Sequence, residues 1–241
     1  MTGPTSPLPT TRLLVSVSDA AEARLALAAG AGLIDAKDPR AGALGALDPA
    51  VITEIRDAVA GRATVTAVTG DHTTIEAAVA AAERIAATGV DLVKIGFPAA
   101  LDGAALADAL ESLARRHRLV AVLFADEEPD FGFIPVLALA GFAGVMLDTA
   151  GKSGGLRRHL PDPALAAFVA RAHRRGLMAG LAGSLRAEDL PVLAAFGPDL
   201  LGMRGGVCEG YDRTRPLDPV RVAEAAGLLA APAALLAGGV R

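Results

Sequence analysis

The 241-residue chain carries 23 lysines and arginines, and only three of them are lysine: Lys37, Lys94 and Lys152. An ammonium can do what a guanidinium cannot. With its pKa depressed by burial or by neighbouring cations, it loses a proton and attacks a carbonyl to form a Schiff base. Two aspartates accompany the lysines. Asp35 stands two residues before Lys37, and Asp148 stands four before Lys152. Carboxylates so placed can tune the amines or exchange protons with them. A single Lys–Asp pair is as readily a structural ion pair. Three lysines and two aspartates, each at the end of an apolar run, favour lysine-centred carbonyl chemistry.

Those apolar runs set the frame. Residues 12–17, 33–37, 63–68, 91–96, 118–125, 143–148, 177–183 and 199–205 read as eight buried strands. Ala-rich segments follow them and read as helices: 19–30, 48–60, 74–87, 104–116, 134–140, 163–174, 187–196 and 219–236, with Pro232 interrupting the last. Asp19 and Asp48 are N-caps, and Pro49 sits at a first helical turn. Continuous apolar strands alternating with helices predict a parallel sheet covered on its outer face. Eight such units in 241 residues match the α/β class and a single (β/α)8 TIM barrel. An open doubly wound sheet is the alternative, but no glycine-rich dinucleotide fingerprint follows the first strand. Residues 1–11 read as a disordered leader and 12–241 as one catalytic domain.

In such a barrel, chemistry collects where the strands exit. Strand 1 leaves through Ser16 and Ser18, strand 3 through Thr69, Asp71 and His72, and strand 5 through Asp126. Strands 7 and 8 leave through glycine-rich loops, Gly183-Ser184 and Arg204-Gly205-Gly206. Barrels bind phosphate there with backbone N–H groups, so Ser16, Gly183, Ser184, Gly205 and Gly206 are candidate phosphate ligands, with Arg204 adding charge. Asp126, in the acidic run ADEEPD, reads equally as a solvated loop. His72 reads equally as a cap or a surface residue. His117, His159 and His173 read as exposed, and Cys208 as a passive small side chain.

Composition removes other classes. The net charge of −4 argues against a nucleic-acid or anionic-membrane surface. One cysteine excludes an internal disulfide and a multi-cysteine metal site. Mean hydropathy is +0.43, yet charges interrupt every apolar stretch before the roughly 20 residues a membrane span needs. The N-terminus lacks the basic and apolar regions of a signal peptide, so the expected location is cytoplasmic. An Ala-rich helical exterior is compatible with a homo-oligomer and equally with a compact monomer.

Residues 13–46, with IDAKDP, resemble the start of the (5-formylfuran-3-yl)methyl phosphate synthases. VKIG at 93–96, GVMLDTAGK at 144–152, AGSLR at 182–186 and DLLGMRGGVC at 199–208 are similar to that family's segments, in the same order. The resemblance implies a (β/α)8 barrel that condenses two molecules of glyceraldehyde 3-phosphate, with loss of phosphate and water. It implies no metal and no organic cofactor. The family's catalytic lysine and its neighbouring aspartate match Lys37 and Asp35. Its second lysine matches Lys94, and its later aspartate and lysine match Asp148 and Lys152. The N-terminal extension and the Arg- and Ala-rich composition depart from the family pattern. The resemblance further implies a role in making a methanofuran-type one-carbon carrier. The rival readings are a class I aldolase or isomerase acting on sugar phosphates, and a non-catalytic phosphometabolite-binding protein.

Overall fold

The computed structural model describes residues 11–151 and 154–230. Eight parallel strands close into a barrel in sequence order. They are β1 (Arg12–Val17), β2 (Leu33–Ala36), β3 (Thr64–Val68), β4 (Leu92–Phe97), β5 (Leu119–Phe124), β6 (Gly144–Asp148), β7 (Met178–Leu181) and β8 (Leu200–Met203). β8 pairs with β1, with Leu14 opposite Gly202, and so completes the ring. The helices are α1 (Ala20–Ala28), α2 (Pro49–Val59), α3 (Ile75–Ala86), α4 (Gly103–Ala114), α5 (Ile134–Leu139), α6 (Leu156–His159), α7 (Asp162–Arg174), α8 (Leu190–Ala194) and α9 (Pro219–Ala230). The predicted TIM barrel is therefore the observed fold.

Local chemistry explains the helix starts. The carboxylates of Asp19, Asp48 and Asp102 accept the first free N–H groups of α1, α2 and α4, and Thr74 does the same for α3. These bonds satisfy donors that a helix start leaves open. The predicted helix over 187–196 is broken in two. A single tight turn at Ala187–Asp189 precedes α8, in which Pro191 occupies the first turn. The four-residue α6 was not foreseen, because LRRH is too short to show a period. Thr11, grouped above with the leader, is buried and donates its hydroxyl to the carbonyl of Pro198. Residues 1–10, Lys152 and the segment around Pro232 lie outside the described residues. No described helix is long and apolar enough to cross a membrane.

Strand alternation divides the core in two. Outward side chains pack beneath the helices, with Phe97 meeting Phe133 and Phe142 at 5.7 Å between ring centroids. Inward side chains fill the barrel floor: Leu14, Leu33, Leu92, Val120, Met146 and Leu200. Small residues face inward on the last two strands. A Cβ on Gly180 or Gly202 would come within about 3 Å of Met146. Met146 and Leu200 fill the space these glycines leave on the floor, while the polar inward residues of the earlier strands stand opposite.

Candidate active site

The register places three polar side chains in one row. Ser16 lies opposite Asp35, and Asp35 opposite Thr66, so β1, β2 and β3 each send one inward at the same height. The Asp35 carboxylate accepts from the Ser16 hydroxyl at 2.8 Å and the Thr66 hydroxyl at 2.6 Å. Lys94 reaches across from β4 and places Nζ 2.8 Å from Asp35 Oδ1. Lys94 and Asp35 are 5% and 1% exposed. A buried carboxylate needs this set of donors, since without them its desolvation would be prohibitive.

Lys37 stands one layer higher, two residues along the same face. Its Nζ lies 3.7 Å from Asp148 Oδ2 on the far side of the mouth, and the two are 13% and 16% exposed. The expected local pairing of Asp35 with Lys37 is thus corrected. Their shared face holds them in successive layers, and the cross-barrel register gives Asp35 to Lys94 and Asp148 to Lys37. Ser16, Asp35, Lys37, Lys94 and Asp148 all line one cavity of about 620 Å3 at the C-terminal ends of the strands. Lys37 is the more open amine, and Lys94 is a buried cation beneath it, fixed by Asp35. Thr66 was not marked by the sequence, because a threonine in a strand is ordinary.

The glycine loops close the opposite wall. Gly183, Ser184, Gly205 and Gly206 line the same cavity. Gly183 has φ of +111° and Ser184 +49°, a turn that exposes the loop backbone. Gly206 has no room for a side chain: a Cβ there would lie 2.3 Å from the carbonyl oxygen of Leu185. Arg204 behaves differently from expectation. Its guanidinium pairs with both oxygens of Glu22 and donates to the carbonyls of Ser16, Arg213 and Arg215. All five of its N–H donors are engaged within the protein, so it holds the β8 loop against β1 rather than presenting a free cation. Burial opposes the charge of Glu22, but the bonds from Arg204 and Ser18 outweigh it and hold the carboxyl below the usual range.

Carboxylates just outside the cavity fix its rim. Asp71, after β3, accepts the N–H groups of Ala43 and Leu44 from the β2–α2 loop. Asp126, after β5, accepts those of Ala150 and Gly151 from the β6–α6 loop, at 2.8 and 2.7 Å. Burial works against its charge, yet these two N–H groups keep the Asp126 carboxyl below the normal aspartate range. The histidines stay out of the site. His72 bonds the carbonyl of Thr69 and exposed His173 bonds Asp199, while His117 and His159, expected to be exposed, are half-buried. Cys208 is buried, and burial pushes its thiol up to about 11. Among the described residues no three His, Cys, Asp or Glu side chains gather into a metal-binding group.

The architecture is shared with solved barrels of low sequence similarity. Phosphoribosyl anthranilate isomerase from Thermus thermophilus superposes with a TM-score of 0.66 at 17% identity, over 91% of this chain and 98% of that one. 3-Hexulose-6-phosphate synthase from Salmonella typhimurium gives 0.65 at 14%, over 91% and 98%. At such identities the likeness shows the fold alone. Sequence comparison goes further. A Methylorubrum extorquens protein, provisionally named as a (5-formylfuran-3-yl)methyl phosphate synthase, is 53% identical over 215 residues, 89% of each chain. The (5-formylfuran-3-yl)methyl phosphate synthase of Methanosarcina acetivorans is 36% identical over 220 residues, 84% of this chain and 93% of that one. The description of 4-HFC-P synthase matches residues 13–226, and with these relatives it establishes that the chain is an enzyme of the 4-HFC-P synthase family.

Proposed function

We propose that this enzyme condenses two molecules of glyceraldehyde 3-phosphate into (5-formylfuran-3-yl)methyl phosphate through a Schiff base on Lys37. The observation that carries the reading is the pairing of Lys37 with Asp148 at the mouth, above a Lys94–Asp35 pair that is already satisfied. Asp148 is placed to take the proton that Lys37 must lose before it attacks a carbonyl. Loss of water from the carbinolamine gives an iminium. The iminium draws electrons from the adjacent carbon as that carbon releases its proton. The resulting enamine forms the new carbon–carbon bond at the aldehyde of the second triose phosphate.

Ring closure by a hydroxyl that adds to the iminium carbon and expels the Lys37 amine then leads to the furan, with one phosphate and two waters lost over the whole sequence, the carbinolamine water included. This balances two triose phosphates against a six-carbon monophosphate. The buried ammonium of Lys94 supplies fixed positive charge where oxyanions develop, and Lys152 is assigned a like role by its place in the family motif. The N–H groups of Ser184, Gly205 and Gly206 serve as phosphate donors. Aromaticity makes the final steps hard to reverse. The product has the chemistry of a precursor to a methanofuran-type carrier, and the reaction needs no organic cofactor.

The test is to incubate the purified protein with glyceraldehyde 3-phosphate and follow ultraviolet absorbance, mass and released phosphate. A furan aldehyde phosphate, with one phosphate released per product, supports the reading. A linear six-carbon sugar phosphate would make the protein an aldolase. Binding without conversion, and without an adduct trapped by borohydride, would make it a binding protein.

A further inference from the structure

The cavity wall between β7 and β8 carries a guanidinium without an acceptor. Arg186 lines the cavity, and its Nη1 is sealed from solvent without a hydrogen-bond partner. Its nearest carboxylate in sequence is already engaged. Asp189 accepts from the backbone N–H of Arg186 and from the guanidinium of Arg157. Instead, the Arg186 guanidinium lies 4.0 Å from the ring centroid of Tyr211, and that of Arg221 lies 3.9 Å from the same ring. The aromatic face holds the cation without saturating its N–H groups.

Two neighbouring cations of this wall are committed. Arg204 has all five donors bonded, and Arg157 is paired with Asp162 and Asp189. Among the described cavity residues, Arg186 is the cation that combines a sealed nitrogen with the lack of an acceptor. A buried unbonded donor costs stability in the empty protein, and a turn of the guanidinium that brings this nitrogen to an anion in the cavity would remove that cost. Tyr211 is itself held in a left-handed conformation, with φ of +62°, a strained placement for a bulky residue. In that conformation the ring sits between the two guanidinium groups.

We propose that Arg186 is the guanidinium ligand for the phosphate of a bound triose phosphate, and that Tyr211 is the positioning residue that presents it. The assignment rests on the substrate class given above. It moves the phosphate-binding charge from Arg204 to Arg186, beside the Ser184 backbone. A guanidinium suits the task because its planar fork matches phosphate oxygens.

The test compares borohydride trapping of two aldehydes, glyceraldehyde 3-phosphate and glyceraldehyde, which lacks the phosphate. Arg186→Gln should lower trapping of the phosphorylated aldehyde at limiting concentration by about 10- to 100-fold, the range expected for a lost charge-assisted bond. It should leave trapping of glyceraldehyde unchanged. Inorganic phosphate should compete in the native protein and not in the variant. Arg186→Lys should recover part of the loss. Tyr211→Leu should reproduce the phosphate-specific defect, and Tyr211→Phe should not. Equal losses with both aldehydes, or unchanged phosphate competition in Arg186→Gln, would overturn the assignment. If the native protein traps neither aldehyde, the Lys37 reading fails. Calorimetric binding of inorganic phosphate to the native and Arg186→Gln proteins then still decides the role of Arg186.

Discussion

Asp35 on β2 and Lys94 on β4 form an ion pair of 2.8 Å with almost no exposure to water, and β3 between them contributes the Thr66 hydroxyl to the same carboxylate. Two strands that are not neighbours are thereby tied through the barrel interior. Removing one partner leaves the other charged and buried. Lys94→Met should therefore destabilise the protein by about 3–5 kcal/mol, the usual cost of breaking a buried pair. Adding Asp35→Asn should recover much of this, because the amide oxygen can still accept from one of the two hydroxyls, Ser16 or Thr66, while the amide NH2 donates to the other. Urea unfolding of the two single variants and the double variant measures the coupling. Additive single and double effects would show that the pair does not act as a unit.

Lys37 is expected to behave in the opposite way. It sits in the upper layer with 13% exposure and faces Asp148 at 3.7 Å. Arginine retains the charge for that partner but cannot form an imine. Lys37→Arg should reduce turnover by at least ~10³-fold and abolish borohydride trapping, with the unfolding free energy changed by less than about 1 kcal/mol. Near-native turnover in this variant would remove Lys37 as the nucleophile.

The contrast between these lysines also marks what the sequence could disclose. Period-two alternation puts Asp35 and Lys37 on one face, and the place of Lys37 just past the end of β2 brings it to the mouth. Which carboxylate meets which amine depends on strand register around a closed barrel. Nothing local encodes that, and the local guess of Asp35 with Lys37 failed for this reason. Arg204 reads as an added charge in the sequence because its carboxylate partner, Glu22, and the Ser16 carbonyl come from the opposite end of the chain, and the nearby carbonyls of Arg213 and Arg215 lie in a loop without a period. Arg186, in a motif already noticed, gave no sign of its stacking on Tyr211. Helix positions were legible from caps and glycines, except where Pro191 splits one helix and α6 is a single turn.

Asp126 tests the importance of a fixed rim. Both of its oxygens hold backbone N–H groups of the β6–α6 loop, at Ala150 and Gly151, and Gly151 lines the cavity. Asp126→Asn keeps one acceptor and loses the charge. It should lower kcat by roughly tenfold through a looser loop, with a stability loss of about 1 kcal/mol from the weakened bonds. The checks are steady-state kinetics and amide exchange. Exchange at Ala150 and Gly151 should rise, while the β5 strand stays protected. Unchanged exchange together with unchanged kcat would show that the loop does not need this clamp.

Glu22 makes the β8 loop sensitive to acid, in a direction that can be worked out. Burial raises its affinity for a proton, but the bonds from Arg204 and Ser18 outweigh this, so the folded carboxyl titrates below its unfolded value. The folded state therefore binds the proton less well than the unfolded state does. The stability this group contributes is fully present above the unfolded value of about 4.3, and is lost as pH falls through the lower folded value. Glu22→Gln should cost about 1.5–3 kcal/mol at pH 7, in line with a charge-assisted bond to Arg204. The difference between the native protein and the variant should shrink steadily below about pH 4.5. Urea unfolding of both proteins at pH 7 and in the acid range measures this directly, because other titrating carboxylates cancel in the comparison. A difference independent of pH would mean that the Arg204 clamp rests on its three carbonyl bonds, with the Glu22 charge contributing nothing.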